Sequence, residues 1–73
     1  MPSRALGIIT LRRELGARYA RINRLWQGAS RAYRRLHAAP VLNLAALRGA
    51  AQRLEVLSRG RAALRADLKA LAD

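Results

Sequence analysis

All three aromatic residues of the chain, Tyr19, Trp26 and Tyr33, fall within residues 19–36 at intervals of seven, with arginines filling much of the space between them. Two chemistries are open to such a pattern. Rings exposed among guanidiniums make a platform on which single-stranded nucleic-acid bases stack. Rings at helical spacing instead pack inside a helix bundle. Helical phase separates the two: at about 100° per residue, the rings fall beside Ile22 and Leu25, and Arg24, Arg31 and Arg35 point the other way. The rings are therefore expected in a core or an oligomer interface. Trp26 is expected near the edge of that interface, where its indole N–H finds a partner.

The arginines form the stronger candidate site. Arg13, Arg24, Arg31 and Arg35 lie within about 40° of one another on a helical wheel, with Arg21 and Arg34 flanking them. The stripe extends roughly 33 Å along a helix axis. A face that is merely solvated mixes signs and forms i,i+4 pairs. This one has only Glu14, which Arg18 could engage. Such a stripe suits an anion, whether nucleic-acid backbone, an acidic protein surface or membrane headgroups, and phosphate contact is its commonest use. Nothing matches a helix-turn-helix or a zinc finger, so backbone contact without sequence specificity is the expectation.

Other reactive residue types lack the company that chemistry needs. His37 is the only histidine and there is no cysteine, so no metal site is expected. Ser30 and Ser58 have no sequence-near base, and Glu14, Glu55, Asp67 and Asp73 form no paired set. No glycine loop that cradles phosphate occurs. No catalytic residue, cofactor or enzymatic activity is expected. Arg61 stands apart, because it occupies the leucine row between Leu54 and Leu68, with Gly60 beside it. A guanidinium there must snorkel, pair or stack on a ring.

These side chains have to be positioned by a very small scaffold. Seventy-three residues make one domain, residues 1–73, and a chain this short is marginal alone, so a homo-oligomer or partner is expected. The formal charge is +11, with a sequence pI near 12.0. Residues 1–39 carry nine Arg against Glu14, a net +8, and residues 40–73 carry five Arg and Lys69 against three acids, a net +3. Self-repulsion of that size opposes compaction unless salt or an anionic partner screens it. Apolar residues at 52% argue against a disordered basic tail. No apolar run approaches the ~20 residues of a bilayer span. The first residues lack the apolar core of a secretory signal, and a cytoplasmic protein is expected.

Periodicity assigns the class. In the first half Ile8, Leu15, Ile22, Ala29 and Leu36 recur every seven residues, with Leu11, Leu25 and Ala32 in the same register and the three rings in the adjoining row. In the second half Leu47, Leu54 and Leu68 make one row, and Ala50, Leu57, Leu64 and Leu71 the other. Pro40 near the midpoint disfavours helical geometry in the residue before it. The pattern predicts an all-α antiparallel hairpin: a helix over about residues 4–38, a turn over 38–43 and a helix over 43–72. Ser3 is the expected cap of the first helix, and the second starts with Pro40 at its first position or Asn43 as N-cap. A turn centred on residue 40 sets Arg61 level with Tyr19, where a cation–π contact could form. Gly28 marks a bend, a close helix approach or a tolerated glycine.

Two helices alone cannot cover apolar arcs this wide. Dimerisation into a four-helix bundle is therefore expected, through Ile8, Leu15, Tyr19, Ile22, Leu25, Trp26, Tyr33, Leu36, Leu47, Leu54, Leu57, Leu64, Leu68 and Leu71. The leading functional expectation is a small basic protein that binds RNA or duplex DNA through phosphate contacts from Arg13, Arg21, Arg24, Arg31, Arg34 and Arg35. The alternative is a protein-interaction module (an adaptor, chaperone or inhibitor of the kind that phages and other mobile elements encode) docking its basic helix on an acidic protein surface. A membrane-surface helix pair ranks third.

Overall fold

A computed structural model describes the backbone of residues 2–72 and the side chains of residues 7–72. Two helices, α1 (Pro2–Ala38) and α2 (Leu44–Ala72), pack against each other as an antiparallel hairpin. The Cα atoms span 62 × 16 × 14 Å, a rod one helix pair thick. The fixed φ of Pro2 suits the first helical position, where a missing N–H costs nothing. Ser3 thus lies inside the helix rather than before it, and its side chain is outside the described ones.

The turn is built from residues 39–43 with no residue at positive φ. Pro40 ends α1 by pushing Ala39 out of helical geometry, but it does not open α2. Asn43 does that. Its side-chain oxygen accepts from the Ala46 N–H at 3.0 Å, and its carbonyl accepts the first intrahelical bond from Leu47 at 2.9 Å. Those bonds satisfy an otherwise orphaned N–H, a device worth about 1 kcal/mol. Pro40 at a first helical position is therefore corrected to Pro40 in the turn.

Capping at Asn43 moves the centre of the turn to residues 41–42, which shifts α2 along α1 by about one helical turn. Arg61 consequently sits over Trp26, not Tyr19, with its guanidinium carbon 4.2 Å from the ring centroid. Arg65, one turn later, takes the place over Tyr19. At the open end Arg12 Nη2 donates to the Leu71 carbonyl at 2.8 Å, engaging a C-terminal carbonyl that the helix itself leaves unpaired.

The seam is thin. Leu15 and Ala29 are its buried apolar residues, and no side chain among the described residues is fully buried. Tyr19, Ile22, Trp26, Tyr33 and Leu36 of α1 are half-buried, as are Leu47, Leu54, Leu57, Leu64, Leu68 and Leu71 of α2. Each half-buried leucine contributes on the order of 1 kcal/mol, about half of full burial. Ile8 and Leu25 lie outside the seam within the hairpin, at 43% and 44% exposure. The Arg12–Leu71 bond marks where α2 runs out, so Ile8, one turn further along α1, has no helix opposite it. Leu25 turns onto a flank where an open groove is lined from α2 by Ala50 and Arg53.

Gly60 is where the helices need a missing side chain. A Cβ there would lie 2.6 Å from Ile22 Cδ1, so glycine admits the Ile22 side chain against α2. Gly28, by contrast, is exposed, and a Cβ on it would meet nothing within 4 Å. It is not a close-approach glycine.

Candidate nucleic-acid interface

The seam of α1 is defined by Leu15, Ala29 and Ser30, so the opposite side of the helix carries Arg13, Arg24, Arg31 and Arg35 outward. All four are exposed, as are the flanking Arg21 and Arg34. Arg34 Nη2 donates to Ser30 Oγ at 3.1 Å, which draws that guanidinium along the helix and gives the buried Ser30 hydroxyl a partner. Arg31, Arg34 and Arg35 surround a shallow hollow floored by Gly28. The absent side chain at Gly28 thus opens space between arginines rather than between helices.

Counter-charges are scarce around the stripe. From Leu15 to Leu54 the chain has eight arginines and no acidic residue. The only ion pair among the described residues joins Arg59 Nη2 to Glu55 Oε1 at 2.6 Å, i,i+4 on α2. Both of its side chains are largely exposed, so it adds little stability. Glu14 and Arg18 are exposed and make no such pair, so the contact open to them by spacing is not formed. An array of unpaired guanidiniums on a straight helix offers forked donors at intervals of one to two turns. That chemistry suits a string of phosphates better than any single small substrate.

Two further faces complete the surface. One flank of the seam holds Leu11 and Leu25, exposed at 45% and 44%, two heptads apart with Arg18 between them. Along it an open groove of about 340 Å³ is lined by Arg24, Leu25, Gly28, Ala29, Ala32, Ala50 and Arg53. A second apolar groove, at the open end, is lined by Leu11, Leu15, Asp67, Ala70 and Leu71.

The other flank is polar and specific. Trp26 Nε1 donates to Ser58 Oγ at 2.8 Å, and Arg65 Nη2 donates to the Tyr19 hydroxyl at 3.0 Å. The hydrogen bond from Arg65, with Arg61 acting in the same direction, holds the Tyr19 phenol below its ordinary pKa. Spacing set the rings beside Ile22 and Leu25 but did not reveal these cross-helix partners. Their signal was present as Ser58, Arg61 and Arg65, which recur at i, i+3 and i+7 on one strip of α2. Reading it required the register across the turn.

His37 lies near the turn with its ring 6.0 Å from that of Tyr33. Among the described residues no three His, Cys, Asp or Glu side chains are grouped so as to hold a metal ion. No helix among them is long and apolar enough to cross a membrane. No protein-family model matches the chain, and neither a curated protein nor a solved structure matches it.

Proposed function

We propose that the hairpin is a non-enzymatic cytoplasmic protein that binds RNA or duplex DNA, gripping the phosphate backbone with the outer face of α1. The observation that carries this reading is the stripe of exposed guanidiniums opposite the seam, all but Arg13 in a 40-residue stretch without a single acid. Contacts from about five of Arg13, Arg21, Arg24, Arg31, Arg34 and Arg35 give a slope of log affinity against log salt near −4.5. Fluorescence anisotropy with duplex RNA and DNA across a salt series measures that slope. A slope near zero removes the reading, and each Arg→Gln change in the stripe should make the slope shallower by about one.

We further propose that two hairpins pair into a four-helix bundle through the Leu11/Leu25 flank. The chain exposes 5979 Å², whereas a folded monomeric protein of 8.1 kDa exposes roughly 4,500 Å². The excess exceeds the ~800 Å² per partner of a standard interface, although an elongated shape contributes to it. A bundle would cover Leu25, Ala32 and Ala50, with Arg24 at its rim, and leave Arg13, Arg31 and Arg35 free. Sedimentation equilibrium at high salt, where repulsion between the +11 chains is screened, should give twice the chain mass. A single-chain mass at all concentrations rejects the bundle.

The same uncovered flank favours a second reading. Leu11, Leu25 and the small residues of the groove, bordered by Arg24 and Arg53, could receive an acidic amphipathic helix from another protein. Recovery of one stoichiometric protein after nuclease treatment, with no oligonucleotide affinity remaining, would establish that reading over the first.

A further inference from the structure

The polar flank converges hydrogen-bond donors and holds no carboxylate. A hollow of about 130 Å³ is lined by Trp26, Ser58, Arg61, Ala62 and Arg65, with Tyr19 joined to it through Arg65. An indole N–H only donates, so Ser58 Oγ spends a lone pair on Trp26 and keeps its own proton for another partner. A guanidinium also only donates, so the Tyr19 oxygen accepts from Arg65 and its phenolic proton is likewise available. Arg61 and Arg65 are one helical turn apart. Each lies over a ring, at 4.2 Å from Trp26 and 5.9 Å from Tyr19. Stacking of this kind orients a guanidinium and leaves its edge to donate.

Stability does not account for Arg61. It interrupts the Leu54–Leu68 row, and its Nε is buried without a hydrogen-bond partner. No carboxylate answers the charge, since the one ion pair among the described residues is Arg59–Glu55. Two oriented cations and the Ser58 hydroxyl proton lining one hollow, with no carboxylate, complement a ligand made only of acceptors. That is the chemistry of a phosphate.

We propose that Ser58, Arg61 and Arg65, seated on Trp26, form a binding site for one phosphate group, with Tyr19 holding Arg65 in place. The site shares no residue with the α1 stripe and does not depend on it. Its occupant is a tetrahedral oxyanion carried by a free phosphate, a phosphodiester of nucleic acid or a lipid headgroup. Guanidinium edges contact its oxygens, and the Ser58 hydroxyl donates to one that remains.

Trp26 is the only tryptophan and forms the floor of the hollow, so its fluorescence reports occupancy. The full chain is titrated at low ionic strength with sodium phosphate, with pyrophosphate, with a dinucleotide containing one phosphodiester, and with glycerophosphate. Sodium chloride at matched ionic strength serves as the reference. The expected result is a saturable change with at least one phosphate and none with chloride, weakened at least tenfold in R61Q and in R65Q. Arg13→Gln and Arg24→Gln leave it unaltered. Identical responses to phosphate and chloride overturn the proposal, as does undiminished saturation in R65Q, whose exposed side chain can be changed even if R61Q fails to fold. Oligonucleotide anisotropy on the same variants separates this site from the stripe. Loss of phosphate saturation with the salt slope kept assigns failure or success to each independently.

Discussion

Replacing Gly60 with alanine sets two effects of similar size against each other, and Ile22 decides the outcome. Alanine in a helix interior is favoured over glycine by about 1 kcal/mol. Against that, the new Cβ would stand 2.6 Å from Ile22 Cδ1. Carbon atoms settle at about 3.5–4.0 Å, so the isoleucine terminus must retreat by roughly 1 Å. Its Cδ1 ends a flexible side chain, which places the cost at the low end of the 1–3 kcal/mol typical of overpacking. G60A should therefore be neutral to about 1 kcal/mol destabilising. Ile22→Val deletes the clashing methyl at a cost of about 0.5–1 kcal/mol, because the residue is only half-buried. In that background G60A should recover its full propensity gain of about 1 kcal/mol. The double-mutant cycle then shows a coupling of about 1–2 kcal/mol. Urea and thermal unfolding followed by circular dichroism measure it, at one protein concentration so that association does not shift the midpoint. A shift of about 4–8 °C per kcal/mol makes the effect easy to resolve in a chain of this size. Additivity of the two changes within about 0.5 kcal/mol would falsify the close approach of α2 to Ile22.

Gly28→Ala, with open space around its Cβ, should raise stability by about 1 kcal/mol and show no coupling to Ile22, as read in the same unfolding assay. Asn43→Ala should lose about 1 kcal/mol by freeing the Ala46 N–H, and Asn43→Asp, which keeps a capping oxygen, should lose much less. Arg61→Leu completes the leucine row and removes the unpartnered Nε, so chemical denaturation should show it to be as stable as the native chain or more so. The depressed phenol of Tyr19 has a definite sign. The folded chain releases this proton at a lower pH than the unfolded chain, so the contribution to stability is complete above the unfolded pKa. It is lost as pH falls through the folded one. Ultraviolet titration of phenolate should show an early-titrating tyrosine that disappears in Tyr19→Phe and moves toward its ordinary value in Arg65→Gln.

Much of the hairpin is legible in the residue pattern. Rows of leucine at heptad spacing identify α2, and Pro40 locates the end of α1 to within a residue. The register is not legible to the same precision, because a proline marks where one helix stops and not how many residues the chain spends before the next begins. Asn43 held that information as a cap, and treating Pro40 and Asn43 as equivalent starts leaves an uncertainty of one turn. That single turn separates Arg61 over Tyr19 from Arg61 over Trp26. It also hides the Ser58–Trp26 bond, which exists only once the two helices are aligned. The basic face of α1 needs no register, since phase within one helix suffices to place Arg13, Arg24, Arg31 and Arg35 outside. Glycines are the opposite case. Gly28 and Gly60 look alike along the chain, and only the residue across the seam, Ile22 or none, tells them apart.

The uneven distribution of acids along the rod bears on kinetics as well as on affinity. Glu14 and Asp67 lie toward the open end, and Glu55 is occupied by Arg59, while Arg31, Arg34, Arg35 and Arg48 crowd toward the turn without opposition. A rod of 62 Å charged in this way has a permanent electric moment along its axis. In the field of a polyanion it would be turned before it touches, with the closed end leading. Productive encounters would then begin at the turn and finish as α1 lies down along the anion. Moving the same charges evenly along the helices would preserve net charge yet slow association, leaving dissociation the less affected of the two rates.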